Sequence, residues 1–393
     1  WLDAPSWDLS EDERCLGGCS KPTLVSEPVG KRSTRSVFEL SFATPQITKL
    51  QGGDAVALRD DKAFTSSRAS IVDVDLSRGR VQVLCNEVPS SCSIIPDDYV
   101  NPAPLPAAIA RNLRGLLESS SRSPLRSFVG RERPTFVGVE AEGDLLEPFS
   151  GSAVEAIRAL AKGSVLAVQG PPGTGKTRLA AEALAALMRD GKRVAVAAPG
   201  HATIAHCLAT ALDKIDGEVL CVKVGSRRRA SADDPETALA QRSNVITKPR
   251  WDAKLAKELD TELPVLLGAT AWALARDDAV GTFDYLFVDE AGQVPAANLA
   301  AMASCASRIV LLGDQAQLPA PCRGAHDEGG ASSCLEHYVG GEELSEDRGI
   351  FLGVTYRLHP LLCGAISELM YNGKLQAHHL AAKRVLSEGS GLL

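Results

Sequence analysis

Apolar positions along the chain follow two different rhythms. Between Ser36 and about residue 100 they come in short alternating runs at 37–42, 55–58, 69–74 and 81–85, separated by turn signals at 52–54 (GGD) and 77–79 (SRG). Strands of that length and spacing predict a small β-barrel or antiparallel sheet. From about residue 150 the rhythm changes. Short apolar runs at 165–168, 193–198, 218–224, 264–267, 283–288 and 308–312 read as strands, and stretches at 151–162, 179–188 and 202–212 read as helices. Strands alternating with helices imply right-handed crossovers and a parallel sheet covered on both faces. The predicted fold class is therefore α/β, a parallel sheet preceded by a small β-rich piece.

The flanking segments complete the layout. Residues 1–33 are rich in Pro, Ser, Gly and charge, without periodicity, and read as a linker or the tail of an upstream domain. After a proline-rich stretch at 102–106, Ile109, Leu113, Leu116 and Leu117 recur at helical spacing, which predicts an amphipathic helix over 107–119. The Ser/Arg-rich stretch 119–134 is expected to be exposed. The domain reading is a linker at 1–33, a barrel-like accessory domain at 34–102, a stalk helix and linker at 103–149, a nucleotide-binding domain at 150–346, and the start of a second such domain at 347–393.

Composition narrows the class without deciding it. The 393 residues are 45% hydrophobic and 23% charged, ordinary for a globular chain. No apolar run is long enough to span a bilayer and no signal-peptide pattern opens the chain, so no membrane partner and an intracellular location, cytoplasm or nucleus, are expected. The net charge of −7 does not advertise a nucleic-acid binder. The global value hides two basic runs: six arginines fall within 111–133 against Glu118 and Glu132, and eight basic residues fall within 223–254, among them Arg227, Arg228 and Arg229. Such runs are more often solvated surface than a binding track. Ten cysteines are scattered; Cys15 and Cys19 lack a second pair at zinc-ligand spacing, and Cys207 and Cys363 fall on apolar helical faces, so buried thiols in a reducing compartment are expected. A first residue that is Trp1 rather than Met reads as a piece of a longer protein.

The chemistry concentrates at 165–178, VLAVQGPPGTGKTR. A buried strand runs into Gly170, Pro171, Pro172, Gly173, Thr174, Gly175, Lys176, Thr177 and Arg178, and Gly170, Gly175, Lys176 and Thr177 satisfy the G-x-x-x-x-G-K-[ST] spacing in full. Small residues let successive backbone N–H groups converge on a phosphate at a helix N-terminus. Lys176 then reaches the β/γ-phosphates and the Thr177 hydroxyl holds Mg²⁺. Downstream, the strand FDYLFV ends in Asp289 and Glu290, suited to anchoring the metal and polarising the attacking water. The strand IVLLGD ends at Asp314 and is followed by Gln315 and Gln317, an amide placed to sense a γ-phosphate beside the phosphate loop.

GPPGTGKT (170–177), DEAGQ (289–293), GDQAQLPA (313–320) and TYRLHP (355–360) occur in the order and rough spacing of superfamily 1B helicases, which the chain resembles over about 150–393. That group includes the nonsense-mediated-decay helicase and the nuclease-helicases of Okazaki-fragment processing. The wording of GATAW (268–272), YLFVDEAGQV (285–294) and DRGIFLGVTYRLHP (347–360) is most similar to bacterial-type proteins in which a RecB-like nuclease precedes such a helicase, so an attached nuclease upstream is a possible partner. The resemblance implies a RecA-like domain, ATP and Mg²⁺ as cofactors, and single-stranded DNA or RNA as partner. It implies Glu290 as catalytic base, Lys176 and Thr177 on phosphate and metal, Asp289 on the metal and Gln317 on the γ-phosphate. Tyr356 would stack on the nucleotide base, and Arg357 would reach the γ-phosphate as an arginine finger from a second RecA-like domain. Pro199, Gly200, His201 and Thr270 would meet the phosphates of the strand. Two departures stand out: SGSAVEAIRAL (150–160) has no adenine-reading Gln, and the later motifs of the second RecA-like domain do not occur before Leu393. The function expected is an ATP-dependent helicase or translocase; the alternatives are a protein-remodelling P-loop ATPase and a nucleotide-binding scaffold.

Overall fold

The computed structural model describes residues 9–10, 13–27, 34–63, 65–97, 102–140, 143–225, 234–318, 330, 332–340, 344–345 and 347–383. Arg227, Arg228 and Arg229, Cys322 and the end of GDQAQLPA at 319–320 lie outside the described residues. The chain divides into two compact units, residues 1–101 and 102–393.

The first unit is a closed antiparallel barrel of β1 (Leu16–Ser26), β2 (Ser36–Ser41), β3 (Ala55–Asp60), β4 (Ser66–Asp75), β5 (Arg80–Cys85) and β6 (Ser91–Pro96), in the order β1-β2-β5-β4-β3-β6. Its interior is filled at period two: Val56 and Leu58, Val81, Val83 and Cys85, and Cys92 and Ile94 all point inward. The strand that closes it, β1, lies inside the segment read as a linker. Only Leu16, Gly17 and Cys19 of β1 are buried, Lys21 has a left-handed backbone, and the register slips between Ser20 and Thr23. A bulged, half-exposed strand erases the alternation that would betray it in the sequence. β6 was likewise unmarked, because SCSIIP buries four consecutive positions.

The second unit is built on eight parallel strands in the order β10-β9-β11-β8-β12-β13-β7-β14. They are β7 (Val165–Gln169), β8 (Arg193–Ala197), β9 (Leu220–Val224), β10 (Val245–Lys248), β11 (Val265–Gly268), β12 (Tyr285–Val288), β13 (Ile309–Gly313) and β14 (Gly349–Phe351). Successive residues feed opposite cores: Val165, Ala167, Leu286, Val288, Ile309 and Leu311 face one, while Leu166, Val168, Tyr285, Phe287, Val310 and Leu312 face the other. Burial on both sides explains why these strands read as continuous apolar runs. The fold of this unit is α/β, a RecA-like sheet with helices on both faces.

Helix α1 (Leu105–Glu118) forms where helical spacing was read; Ile109 and Leu116 of the predicted stripe pack against the core, while Leu113 and Leu117 face outward. Leu105, Ala108 and Asn112 are buried, whereas Leu117 is 88% exposed. The Asn112 amide donates to the carbonyls of Ala300 and Ala301 at 2.8 and 3.0 Å, so a polar residue anchors the stripe. The stretch read as exposed, 119–134, contains a short helix, Pro124–Val129, capped by Ser123 and burying Leu125 and Phe128. Past residue 346, β14 pairs with β7 and extends the same sheet, so the 346/347 division of the sequence reading falls short of the sheet's last strand.

Leu312 is fully buried on β13 next to the strand that carries the phosphate loop. Leu312→Ala is expected to destabilise this unit by about 2–5 kcal/mol, measured by chemical denaturation, because the rigid sheet cannot collapse onto the void.

Candidate nucleotide-binding site

The phosphate loop is shaped by its glycines. β7 ends at Gln169, and Gly173 and Gly175 take left-handed conformations, with φ of 77° and 90°. Gly175 caps helix α2 (Lys176–Arg189) without any side-chain bond, so the first N–H groups of the helix point into the loop. A Cβ on Gly170 would strike the Lys176 side chain, and one on Gly173 would strike Cβ of Arg357. Lys176 Nζ donates to the Gly170 carbonyl, which aims its ammonium across the mouth of the loop.

A cleft of about 880 Å³ opens over this loop. It is lined by residues 171–178 and by Glu290, Gln317, Tyr356 and Arg357, so one wall gathers positions far apart in the sequence. The TYR segment is held to the loop by its backbone. Tyr356 N donates to Gly173 O at 2.8 Å, and Thr355 Oγ1 donates to Pro172 O at 2.8 Å. Tyr356 is 52% exposed and its ring stacks at a tilt on His378, 4.6 Å between centroids. Arg178 is turned aside, donating to Glu182 at 2.8 Å.

Three lining residues escaped the sequence reading: His206, Thr210 and Lys214. His206 and Thr210 are one turn apart on helix α3 (His201–Leu212), and Lys214 follows it. The signal was there, two polar positions at i,i+4 within the apolar second half of the helix, HATIAHCLATAL.

The acids after β12 differ in setting. Asp289 is 7% exposed, and burial, with the adjacent Glu290 charge second, pushes its pKa up to about 6. Its Oδ1 accepts the Glu290 N–H at 3.0 Å. Glu290 itself has a left-handed backbone, φ 52°, a costly conformation for a residue with a side chain, and it faces the cleft.

The residues assigned to nucleic acid separate into two places. Pro199 and Thr270 share a second cavity of about 200 Å³ with Trp272, Gln293 and, on helix α4 (Ala296–Met302), Asn298, where the loops after β8, β11 and β12 meet. Gly200 caps α3 in an extended conformation. His201 is tied elsewhere: its Nδ1 lies 2.9 Å from Nζ of buried Lys223, which also donates to Gly225 O at 2.7 Å. Burial pulls the Lys223 pKa down to about 8, with Glu236 opposing the shift.

The raised Asp289 pKa has a sign that can be checked. The folded state holds this proton more tightly than the unfolded chain, so stability is lost as pH rises from the ordinary aspartate range through about 6. In magnesium-free buffer at neutral pH, Asp289→Asn is expected to raise stability by about 1–2 kcal/mol. Urea denaturation of both proteins on either side of that window checks it: the difference should vanish at acid pH.

A family model described as an AAA domain matches residues 150–329, which spans the phosphate loop, both acids and Gln317. The DNA-binding protein SMUBP-2 of Rattus norvegicus is 26% identical over 296 residues, covering 63% of this chain and 29% of the relative. The DNA replication ATP-dependent helicase/nuclease DNA2 of Gallus gallus is 24% identical over 398 residues, 96% of this chain and 39% of that protein. The chain thus spans between about three tenths and two fifths of the length of these relatives. Among solved structures, the Arterivirus nonstructural protein 10 helicase covers 95% of the chain and 61% of its own, at 14% identity and a TM-score of 0.39. By its motifs, the match to the AAA domain model and these relatives, the chain is similar to the superfamily 1B helicases.

Proposed function

We propose that this chain is the nucleotide-hydrolysing core of an ATP-dependent nucleic-acid helicase or translocase. The observation that carries the reading is the single cleft shared by Lys176, Thr177, Glu290, Gln317, Tyr356 and Arg357. A structural glycine turn would have no reason to gather a base, an amide sensor, an aromatic ring and a guanidinium.

The donor set fits Mg²⁺. Thr177 offers a hydroxyl and Asp289 a carboxylate, the hard oxygen ligands this cation takes, and a divalent charge would offset the burial that raises the Asp289 pKa. Bound there with the nucleotide, Mg²⁺ would neutralise charge developing between the β- and γ-phosphates. The chain's own groups do the rest. The loop N–H groups and Lys176 hold the phosphates, Tyr356 supports the base, and Glu290 accepts the proton of the attacking water. Arg357, a planar cation, stabilises the charge spread over the transferring phosphoryl group. In this reading the ATP-binding domain runs from residue 150 through β14, the segment after β14 begins the second RecA-like domain, and β1–β6 and 103–149 are the accessory barrel and stalk.

For the strand, the reading favours the cavity under Pro199 and Thr270. It opens at the carboxyl ends of β8 and β11, where ligands of parallel sheets collect. Trp272 supplies a stacking face there.

In the intact protein, single-stranded DNA or RNA is expected to stimulate ATP hydrolysis, and Lys176→Ala and Glu290→Gln each to lower kcat by about 100-fold or more. A steady-state ATPase assay with both nucleic acids decides: no stimulation by either would leave a protein-remodelling ATPase or a scaffold as the reading. Trp272→Ala is expected to weaken single-strand binding by about 1–3 kcal/mol in fluorescence anisotropy, the worth of one base–aromatic stack.

A further inference from the structure

Asp314, at the end of β13, is a second buried acid, 4% exposed, with surroundings unlike those of Asp289. Four neutral donors converge on it. Oδ1 accepts from Gln169 Nε2 at 3.3 Å and from the Ala316 N–H at 3.2 Å. Oδ2 accepts from Gln317 Nε2 at 3.2 Å and from the Tyr371 hydroxyl at 2.7 Å. Gln169 ends the strand that carries the phosphate loop, and Gln317 lines the cleft. Tyr371 comes from another direction: it caps the C-terminus of helix α5 (Pro360–Met370), which begins four residues after Tyr356. Tyr371 is 7% exposed and its ring packs 6.0 Å from Phe351 of β14.

We infer that Tyr371 is a positioning residue for hydrolysis, holding Asp314 so that the carboxylate sets which end of the Gln317 amide faces the nucleotide. The inference rests on the cleft being an NTP hydrolysis site and names how α5 is linked to it. The amide has two unlike ends, and a carboxylate accepts only from the NH₂ end. While Asp314 takes one N–H, the second stays available to a phosphate oxygen, and the reversed amide would set Oε1 against the carboxylate. The Tyr371 bond is the shortest of the four and of the strong O–H···O⁻ type, so it fixes the carboxylate plane. Burial, with Asp314 beside it, pushes the Tyr371 pKa up, which keeps the hydroxyl protonated as a donor. A shift of α5 is thereby felt at Gln317 through one side chain.

The test is a double-mutant cycle on the ATPase activity of the intact protein. Tyr371→Phe keeps the ring and removes the hydroxyl. It is expected to lower kcat by about five- to tenfold, the rate equivalent of one ordinary net hydrogen bond, with KM for ATP changed by less than about twofold. Combined with Gln317→Ala, it should slow the enzyme no further than Gln317→Ala alone, which a purely structural role would not produce. Asp314→Asn, similar in size, should show the same kcat loss and the same non-additivity, and decides the matter if Tyr371→Phe folds poorly. Unchanged kcat, or losses that multiply with Gln317→Ala, would overturn the inference. If nucleic acid fails to stimulate turnover, the helicase reading fails by itself, and the cycle is read on basal hydrolysis.

Discussion

Main-chain pairing around β7 is the constraint on which the candidate site depends. β7 lies between β13 and β14 in one parallel sheet, so the loop that follows it is gripped from both sides. The Gly170 N–H donates to Gly313 O, the Leu352 N–H to Gln169 O and the Tyr356 N–H to Gly173 O, all within 2.8–2.9 Å. Each such bond contributes only about 0.5–1.5 kcal/mol net. Their placement matters more than their sum. They bring three adjacent strand ends, carrying the phosphate loop, Gln317 and the Tyr356–Arg357 pair, to one rigid edge. Positioning groups on strand ends rather than on free loops is how a site is preorganised at low entropic cost.

The two buried acids of that edge show how surroundings assign roles to identical side chains. Asp314 is surrounded by four hydrogen-bond donors and is satisfied where it stands. For Asp289 a backbone N–H is the hydrogen bond that lowers its pKa, and it works against burial and the neighbouring Glu290 charge. A carboxylate short of donors is unfavourable as an anion and receptive to a cation. The sequence motif marks both positions as strand-end acids; only packing separates them.

What the sequence disclosed follows from what periodicity and spacing encode. β7, β8, β12 and β13 were legible because a doubly buried parallel strand must be apolar throughout, and the phosphate loop because its glycines answer to steric demands on single residues. β1 was not legible: its buried half is three residues long and its bulge breaks the alternation. The face of α1 was read only in part, Ile109 and Leu116 packing inward and Leu113 and Leu117 not, because Asn112, a polar residue, sits at its centre, satisfied by two carbonyls that no local pattern announces. Tyr371 carries no motif at all. It enters the site through tertiary approach, across 57 positions to Asp314, and such meetings leave no trace in spacing.

The nine described cysteines have a consequence for observing this molecule. All are buried, four in the barrel unit and five in the other, and for Cys19, Cys85, Cys92, Cys207, Cys221, Cys305, Cys334 and Cys363 burial raises the thiol pKa, suppressing the thiolate at neutral pH. A thiol reagent therefore meets them only when the surrounding structure opens. With both cores seeded by such dormant nucleophiles, the protein carries its own opening sensors: peptide-resolved alkylation rates would time the breathing of the barrel and of the sheet separately, without any added label.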